Sequence, residues 1–403
     1  MQWSKNFRKI LEKDPKNMVG AMGLAATAQA QGNTKEAEKW LQKAAKDHPD
    51  SLDAQLALAQ HYLAARDFGK AQAVIDEAAK KAPDNAALAN ARGLALLGLN
   101  DIPNAIASFK KATEQAPKAY GYSLNLARAY LVNRDVKIAL DVLNGILKVE
   151  PKYLPALALA AATTLQAGEI EKAAGYVERI RQASPDAPGT YALEGDRAMA
   201  QTRYRDALDL YRKAGEKGSS RELAYAQYRA GMLSGTAQPE KPIEDWVAAH
   251  PDDIGAISVL ADARQRGGDT AGAIKLYEQA LQKAPGNALL LNNLAVAYQA
   301  TGNPKALETA AQAYKAAPDA APIQDTYGWL LLDNGKNDKA LELLAAAYKG
   351  MPTNAEVQYH YAAALAKSGK TAEAVPVLKK ALAGPLPAAA KADAQKLLQQ
   401  LSK

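Results

Sequence analysis

Proline recurs in this chain at a fixed interval. Pro15, Pro49, Pro83, Pro117, Pro151 and Pro185 are each 34 residues apart; Ser219 holds the next slot, and Pro251, Pro285, Pro318 and Pro352 continue at spacings of 32, 34, 33 and 34. A period this short constrains the fold more than any composition value does, because a unit of this size cannot bury its own apolar face and must stack on its copies. The 403 residues, 48% of them hydrophobic, therefore read as one repeat array with a continuous core over residues 1–403.

Upstream of each proline the same side chains return: a small residue twelve before, a large apolar one eight before, and a small or apolar one five before. Ala37/Leu41/Ala44, Ala71/Ile75/Ala78, Ala105/Phe109/Ala112, Ala139/Leu143/Ile146, Ala207/Tyr211/Ala214 and Ala273/Tyr277/Ala280 follow this rule. Offsets of four, three and seven place them on one stripe of a helix. A second stripe, in a preceding helix, reads Leu58-Ala59 with Tyr62, Leu126-Ala127 with Tyr130, Leu260-Ala261, Leu294-Ala295 with Tyr298, and Tyr327-Gly328. Between the stripes lie short polar turns such as Gln31-Gly32-Asn33, Asn133-Arg134-Asp135 and Gly267-Gly268-Asp269, whose glycine or asparagine suits the left-handed conformation that ends a helix. Each unit is thus a helical hairpin, closed by a proline that cannot extend the second helix. The fold class is all-α, with no strand.

This pattern resembles the tetratricopeptide repeat, whose 34-residue unit has these small and large positions and this terminal proline. The resemblance implies a right-handed superhelical solenoid of helical hairpins. Residues 1–17 supply an orphan second helix (Trp3, Phe7, Ile10). Eleven repeats occupy 18–387, beginning near 18, 52, 86, 120, 154, 188, 222, 254, 288, 321 and 355, and residues 388–403 form a C-terminal capping helix. Opening in mid-repeat leaves an unpaired face, so the chain is expected to be a fragment of a longer array with Met1 as an added start, signals for export or lipid attachment lying in the missing part. Two departures are expected to matter. Ser234–Pro242 replaces the start of one second helix with a Pro/Gly-rich loop, and Pro376 should kink its helix or delay its start.

Catalytic chemistry finds little support. Cysteine is absent, which removes disulfides, thiolate nucleophiles and thiolate metal sites. His48, His61, His250 and His360 are far apart, without a carboxylate at metal-ligand spacing, and His48 and His250 read as surface turn residues before their prolines. No glycine-rich loop follows a strand, so no phosphate cradle is indicated. The chain is expected to be neither an enzyme nor a holder of cofactors or metals. Fifty Lys plus Arg against 43 Asp plus Glu give +7, too modest over this length to imply nucleic acid, and no apolar run suffices for a membrane span, so a membrane would be met only through an anchor outside this sequence. Ten of the arginines fall between residues 179 and 266, among several tyrosines. They form either a basic binding surface or ordinary solvated helix faces.

In the repeat family an asparagine at the sixth position of the first helix can face a bound peptide. Asn125 and Asn293 hold that position, Arg128 lies one turn beyond the former and Asn292 flanks the latter; the consecutive lysine and asparagine pairs of a carboxylate clamp are lacking. In this repeat positions 2, 5, 9 and 12 of the first helix look into a concave groove, which predicts a patch of Asp325, Trp329, Tyr359, Asn292, Asn293 and Gln299, apolar rings beside hydrogen-bonding groups. The opposing reading has Trp329 covered by its neighbours.

The segment Gln324-Asp325-Thr326-Tyr327-Gly328-Trp329-Leu330-Leu331, followed by Tyr359-His360-Tyr361-Ala362-Ala363-Ala364-Leu365, resembles the C-terminal end of bacterial tetratricopeptide lipoproteins associated with exopolysaccharide production and the PEP-CTERM/exosortase system. That resemblance implies a non-catalytic protein-interaction scaffold at the cell envelope, periplasmic or tethered to the outer membrane, holding a protein or peptide partner and serving polysaccharide machinery. Two alternatives stand beside it: a cytoplasmic peptide-binding or cochaperone-like adaptor, which is what a full-length chain without an export signal would be, and the repeat region of a glycosyltransferase.

Overall fold

The computed structural model describes residues 2–402, and among them every regular element is a helix. Helix α1 (Gln2–Lys13) is followed by the hairpins α2/α3 (Met18–Ala30, Thr34–Asp47), α4/α5 (Leu52–Ala64, Phe68–Lys81), α6/α7 (Ala86–Gly98, Ile102–Gln115) and α8/α9 (Tyr120–Val132, Val136–Val149). Then come α10/α11 (Leu154–Gln166, Ile170–Ala183), α12/α13 (Pro188–Ala200, Tyr204–Lys217), α14/α15 (Arg221–Ser234, Lys241–Ala249) and α16/α17 (Ile254–Arg266, Thr270–Lys283). The last hairpins are α18/α19 (Ala288–Ala300, Ala306–Ala316), α20/α21 (Ala321–Asp333, Asn337–Gly350) and α22/α23 (Ala355–Lys367, Thr371–Ala383), closed by α24 (Ala388–Leu401). First helices start at the residues the period predicts, apart from a one-residue shift to Arg221, and each ladder proline stands two residues past the end of a second helix. Residues 1 and 403, which the reading of the termini included, lie outside the described residues.

Local chemistry sets the helix ends. Asn17, Ser51, Asn85, Asn287 and Asn354 cap first helices by accepting the N–H three residues on, and Asn33, Asp67, Asp101 and Asp269 do the same for second helices. The left-handed turn residue is glycine in Gly32, Gly168, Gly268, Gly302, Gly335 and Gly369. Elsewhere the expectation needs correcting. Arg134, not Asn133, carries φ +67°, and Arg66, Asn100 and Thr202 take the same strained position, because the hairpin geometry fixes the position whatever side chain occupies it.

Packing follows the two stripes. Ala105, Phe109 and Ala112 have no exposure, Ala71 and Ile75 none, and Ala59, Ala127, Ala261 and Ala295 none on the facing helices. Small residues there permit close crossings: a side-chain carbon on Gly93 would lie 2.6 Å from the Phe109 ring. Contacts between sequence neighbours, such as α6 with α7 and α20 with α21, build two compact units, one up to Leu210 and the other from Tyr211 on, each a solenoid of stacked hairpins.

The irregular repeat is as short as expected. Gly235 (φ +73°) ends α14, and α15 has nine residues, held by Ile243 and Val247, while Pro239 packs against Gly231. The expected delay at Pro376 does not occur: α23 starts at Thr371 and runs through Pro376. At the ends, Phe7 of α1 lies over Gly23, and α24 buries Ala394 while Lys391, Asp393 and Lys396 face water. Among the described residues no helix is long and apolar enough to cross a membrane.

Candidate partner-binding face

First helices touch one another directly: α4 with α6, α6 with α8 and α10 with α12 in one unit, α18 with α20 and α20 with α22 in the other. Among the described residues no comparable contact joins the second helices of adjacent repeats. The crowded side of a bent stack is its inner side, so within each unit the first helices line the inner face. That face is built differently from the rest of the chain. Lysine occurs once in the eleven first helices, at Lys367, whereas every second helix carries at least one.

Hydrogen bonds run across this face from repeat to repeat. Asn125 Nδ2 donates to Asn90 Oδ1 (2.9 Å), and Arg128 Nη1 donates to Asn125 Oδ1 (3.3 Å). Asn293 Nδ2 donates to Asp262 Oδ1 (3.2 Å), and Gln299 Nε2 to Asp333 Oδ2 (3.0 Å). His360 Nδ1 stands 3.0 Å from both carboxylate oxygens of Asp325. The expected patch is thereby divided. Asp325, Trp329 and Tyr359 gather with His360 on α20 and α22, Asn293 joins Asp262, and Gln299 joins Asp333.

Position 5 does not look into the groove as supposed. Tyr359 is 8% exposed and Asn292 7%, because a neighbouring helix lies over that position. Tyr359 packs in a cluster with Leu378 and Ala394, and burial with nearby Asp393 and Asp333 raises its hydroxyl pKa. Trp329 is half-buried, between the two readings offered for it: it packs beside Leu397 and stacks on His360, ring centres 4.2 Å apart and 19° from parallel.

A cleft of about 380 Å³ opens between α16 and α18, lined by Asp262, Gln265, Arg266, Tyr277, Asn293 and Val296. The Tyr277 hydroxyl donates to Asp262 Oδ1, and burial together with this bond pushes its pKa up, so it stays a donor.

The tetratricopeptide repeat profile matches residues 28–95 and, separately, residues 123–384, more than half of the chain. The chain belongs to the tetratricopeptide repeat family. Its backbone is similar to that of a chain of the APC/C hetero-tetramer Cut9-Hcn1 (15% identity, 99% of this chain and 92% of that one, TM-score 0.47). It is also similar to a tetratricopeptide repeat protein from Parabacteroides merdae ATCC 43184 (19% identity, 55% and 89%, TM-score 0.47) and to yeast Tom70 (13% identity, 96% and 95%, TM-score 0.45).

In this tetratricopeptide array several arginines of the middle third are held by local partners. Arg181 bonds Glu194 (2.6 Å), Arg203 pairs with Asp206 (2.6 Å), Arg264 with Glu244 (2.7 Å), and Arg179 donates to the Pro151 carbonyl (2.8 Å). His48 and His250 cap their helices before the prolines, His250 stacked on Trp246. His360 and Asp262 were missed as inner-face groups. The signal was available: in a 34-residue array, positions 31 to 35 apart face each other, so the informative partner of a histidine lies one repeat away rather than one turn away.

Proposed function

We propose that the chain is a non-catalytic scaffold that holds a protein segment along the first helices, and that it works at the cell envelope in the assembly or export of an exopolysaccharide, in the periplasm or tethered to the outer membrane. The withdrawal of lysine from the first helices carries the first half. Partner surfaces are depleted in lysine, whose solvated ammonium is costly to cover, and a solenoid offers its inner face as a long continuous surface. The second half rests on the resemblance of the last repeats to envelope tetratricopeptide lipoproteins. It is supported by the way Asp325, Trp329, Tyr359 and His360 of that motif meet in one cluster.

The test places a photo-crosslinking amino acid at Arg128 and Val296 on the inner face and at Lys80 and Lys379 on second helices, in the native host. Inner-face positions should capture a defined protein, second-helix positions should not, and deleting the gene should reduce surface polysaccharide. Trp329→Ala should weaken capture by about fivefold or more while leaving the melting temperature within a few degrees. Equal capture from both faces refutes the scaffold surface. Fractionation that finds the native protein in the cytosol, with normal polysaccharide in the deletion strain, refutes the envelope role.

A further inference from the structure

We propose that the cleft between α16 and α18 receives a cationic side chain, lysine or arginine, of the partner segment, so that the inner face of the second unit selects a basic stretch of protein. This rests on the reading of that face as the partner surface. Asp262 is half-buried, its Oδ1 accepting from the Tyr277 hydroxyl and from Asn293 Nδ2 (3.2 Å). Its Oδ2 takes no hydrogen bond, and no lysine or arginine forms an ion pair with it among the described residues. Neutral donors orient this carboxylate without supplying a counter-ion. A guanidinium or ammonium entering the cleft would meet a charge already oriented, with Gln265 and Asn293 beside it and the Val296 side chain as an apolar wall for its stem. Arg266, on the rim, donates to the Tyr228 hydroxyl (2.9 Å).

A second observation points the same way. Asn292 uses its Nδ2 on Asn293 (3.5 Å), and its Oδ1 is buried with no donor among the described residues, an orphan acceptor one hydrogen bond from the cleft wall. Along the same face α18 and α20 contain no lysine or arginine, and the carboxylates Asp325 and Asp333 meet the side chains of His360 and Gln299 instead. Carboxylates at the repeat-closing turns are treated otherwise: Lys81 lies 2.6 Å from Asp50, Lys111 3.4 Å from Asp84 and Lys283 2.8 Å from Asp252. On the inner face from α16 to α20, Asp262 and Asp333 form no ion pair with lysine or arginine among the described residues, and Arg266, which lines the cleft, is bonded to the Tyr228 hydroxyl.

Fluorescence anisotropy with the whole chain tests this, using a labelled short peptide of alternating arginine and alanine against the same peptide with glutamate for arginine. The arginine peptide should bind, more weakly as salt rises, and the glutamate peptide should not. Asp262→Asn should weaken binding by about tenfold. Asparagine keeps an oxygen for Tyr277, so the melting temperature should hold. Asp252→Asn, at a turn, should change nothing. Equal binding of both peptides, or full affinity in folded Asp262→Asn, overturns the proposal. A native partner crosslinked at Val296 through an acidic segment would also refute the cation site while leaving the scaffold reading intact; no capture from the inner face would remove the reading beneath it.

Discussion

The hairpins α6/α7 and α14/α15 solve one packing problem with different amounts of helix. The first buries Ala105, Phe109 and Ala112 completely, with Gly93 admitting the Phe109 ring. The second has lost the opening turns of α15 and keeps two anchors, Ile243 and Val247. A cleft of about 540 Å³ opens beside it, lined by Arg212 and Gly215 of α13, Leu223 of α14 and Trp246 of α15. The contrast teaches that this architecture needs a few deep contacts per hairpin, not a full complement of helix. It also predicts where the array is weakest.

The largest effect expected is on the regular side. Phe109→Ala should cost about 3–5 kcal/mol by denaturant titration, since the ring is wholly buried and its neighbours cannot close over the void. Ile243→Ala removes one of only two anchors and should instead free α15 locally, seen as faster amide exchange over 235–250 with a smaller loss of global stability. If the two variants lose stability in the same cooperative transition and to the same extent, the distinction between the hairpins is wrong. Next, limited proteolysis should make its first internal cut between 235 and 240, where Gly235 and Pro239 leave few backbone hydrogen bonds. A first cut at a regular turn such as 133–135 would reverse the ranking.

A pH titration sharpens the comparison further. Tyr298, in a regular hairpin, is buried with its hydroxyl on Glu278, and burial and that bond push its pKa up to about 12. A raised folded pKa contributes stability that is complete below the ordinary tyrosine value near 10 and lost as pH climbs through the folded one. Melting temperature should therefore fall between pH 10 and about 12, and Tyr298→Phe should flatten part of that fall. The short hairpin carries Tyr225, whose pKa burial also raises, so only the part of the fall that Tyr298→Phe removes belongs to the regular hairpin. The smallest effect is at Thr202, a β-branched residue at φ +59°; Thr202→Gly should raise stability by about 0.5–1 kcal/mol, and a loss would show that the side chain compensates its strain.

Much of this was legible before any coordinate. The proline period gave the first-helix starts, and the Ala/Leu/Tyr stripes gave the buried crossings, because a helix of fixed pitch turns sequence spacing directly into facing. The site was legible only in part. Trp329 and Asp325 could be placed on the right helix, yet Tyr359 and Asn292 were assigned to open surface. Phase within one helix says nothing about how closely the next first helix approaches, and that approach covers position 5.

The sequence by itself determined that the chain is an array of helical hairpins, how many there are, where each begins and which one is short, since all of these are local or periodic properties. Tertiary structure alone decided which polar groups meet. Asp325 finds His360 and Asp262 finds Asn293 because stacking brings residues one repeat apart to within hydrogen-bond distance. It decided also that within each unit the lysine-poor helices line one face, and that Asp262 forms no ion pair with lysine or arginine among the described residues.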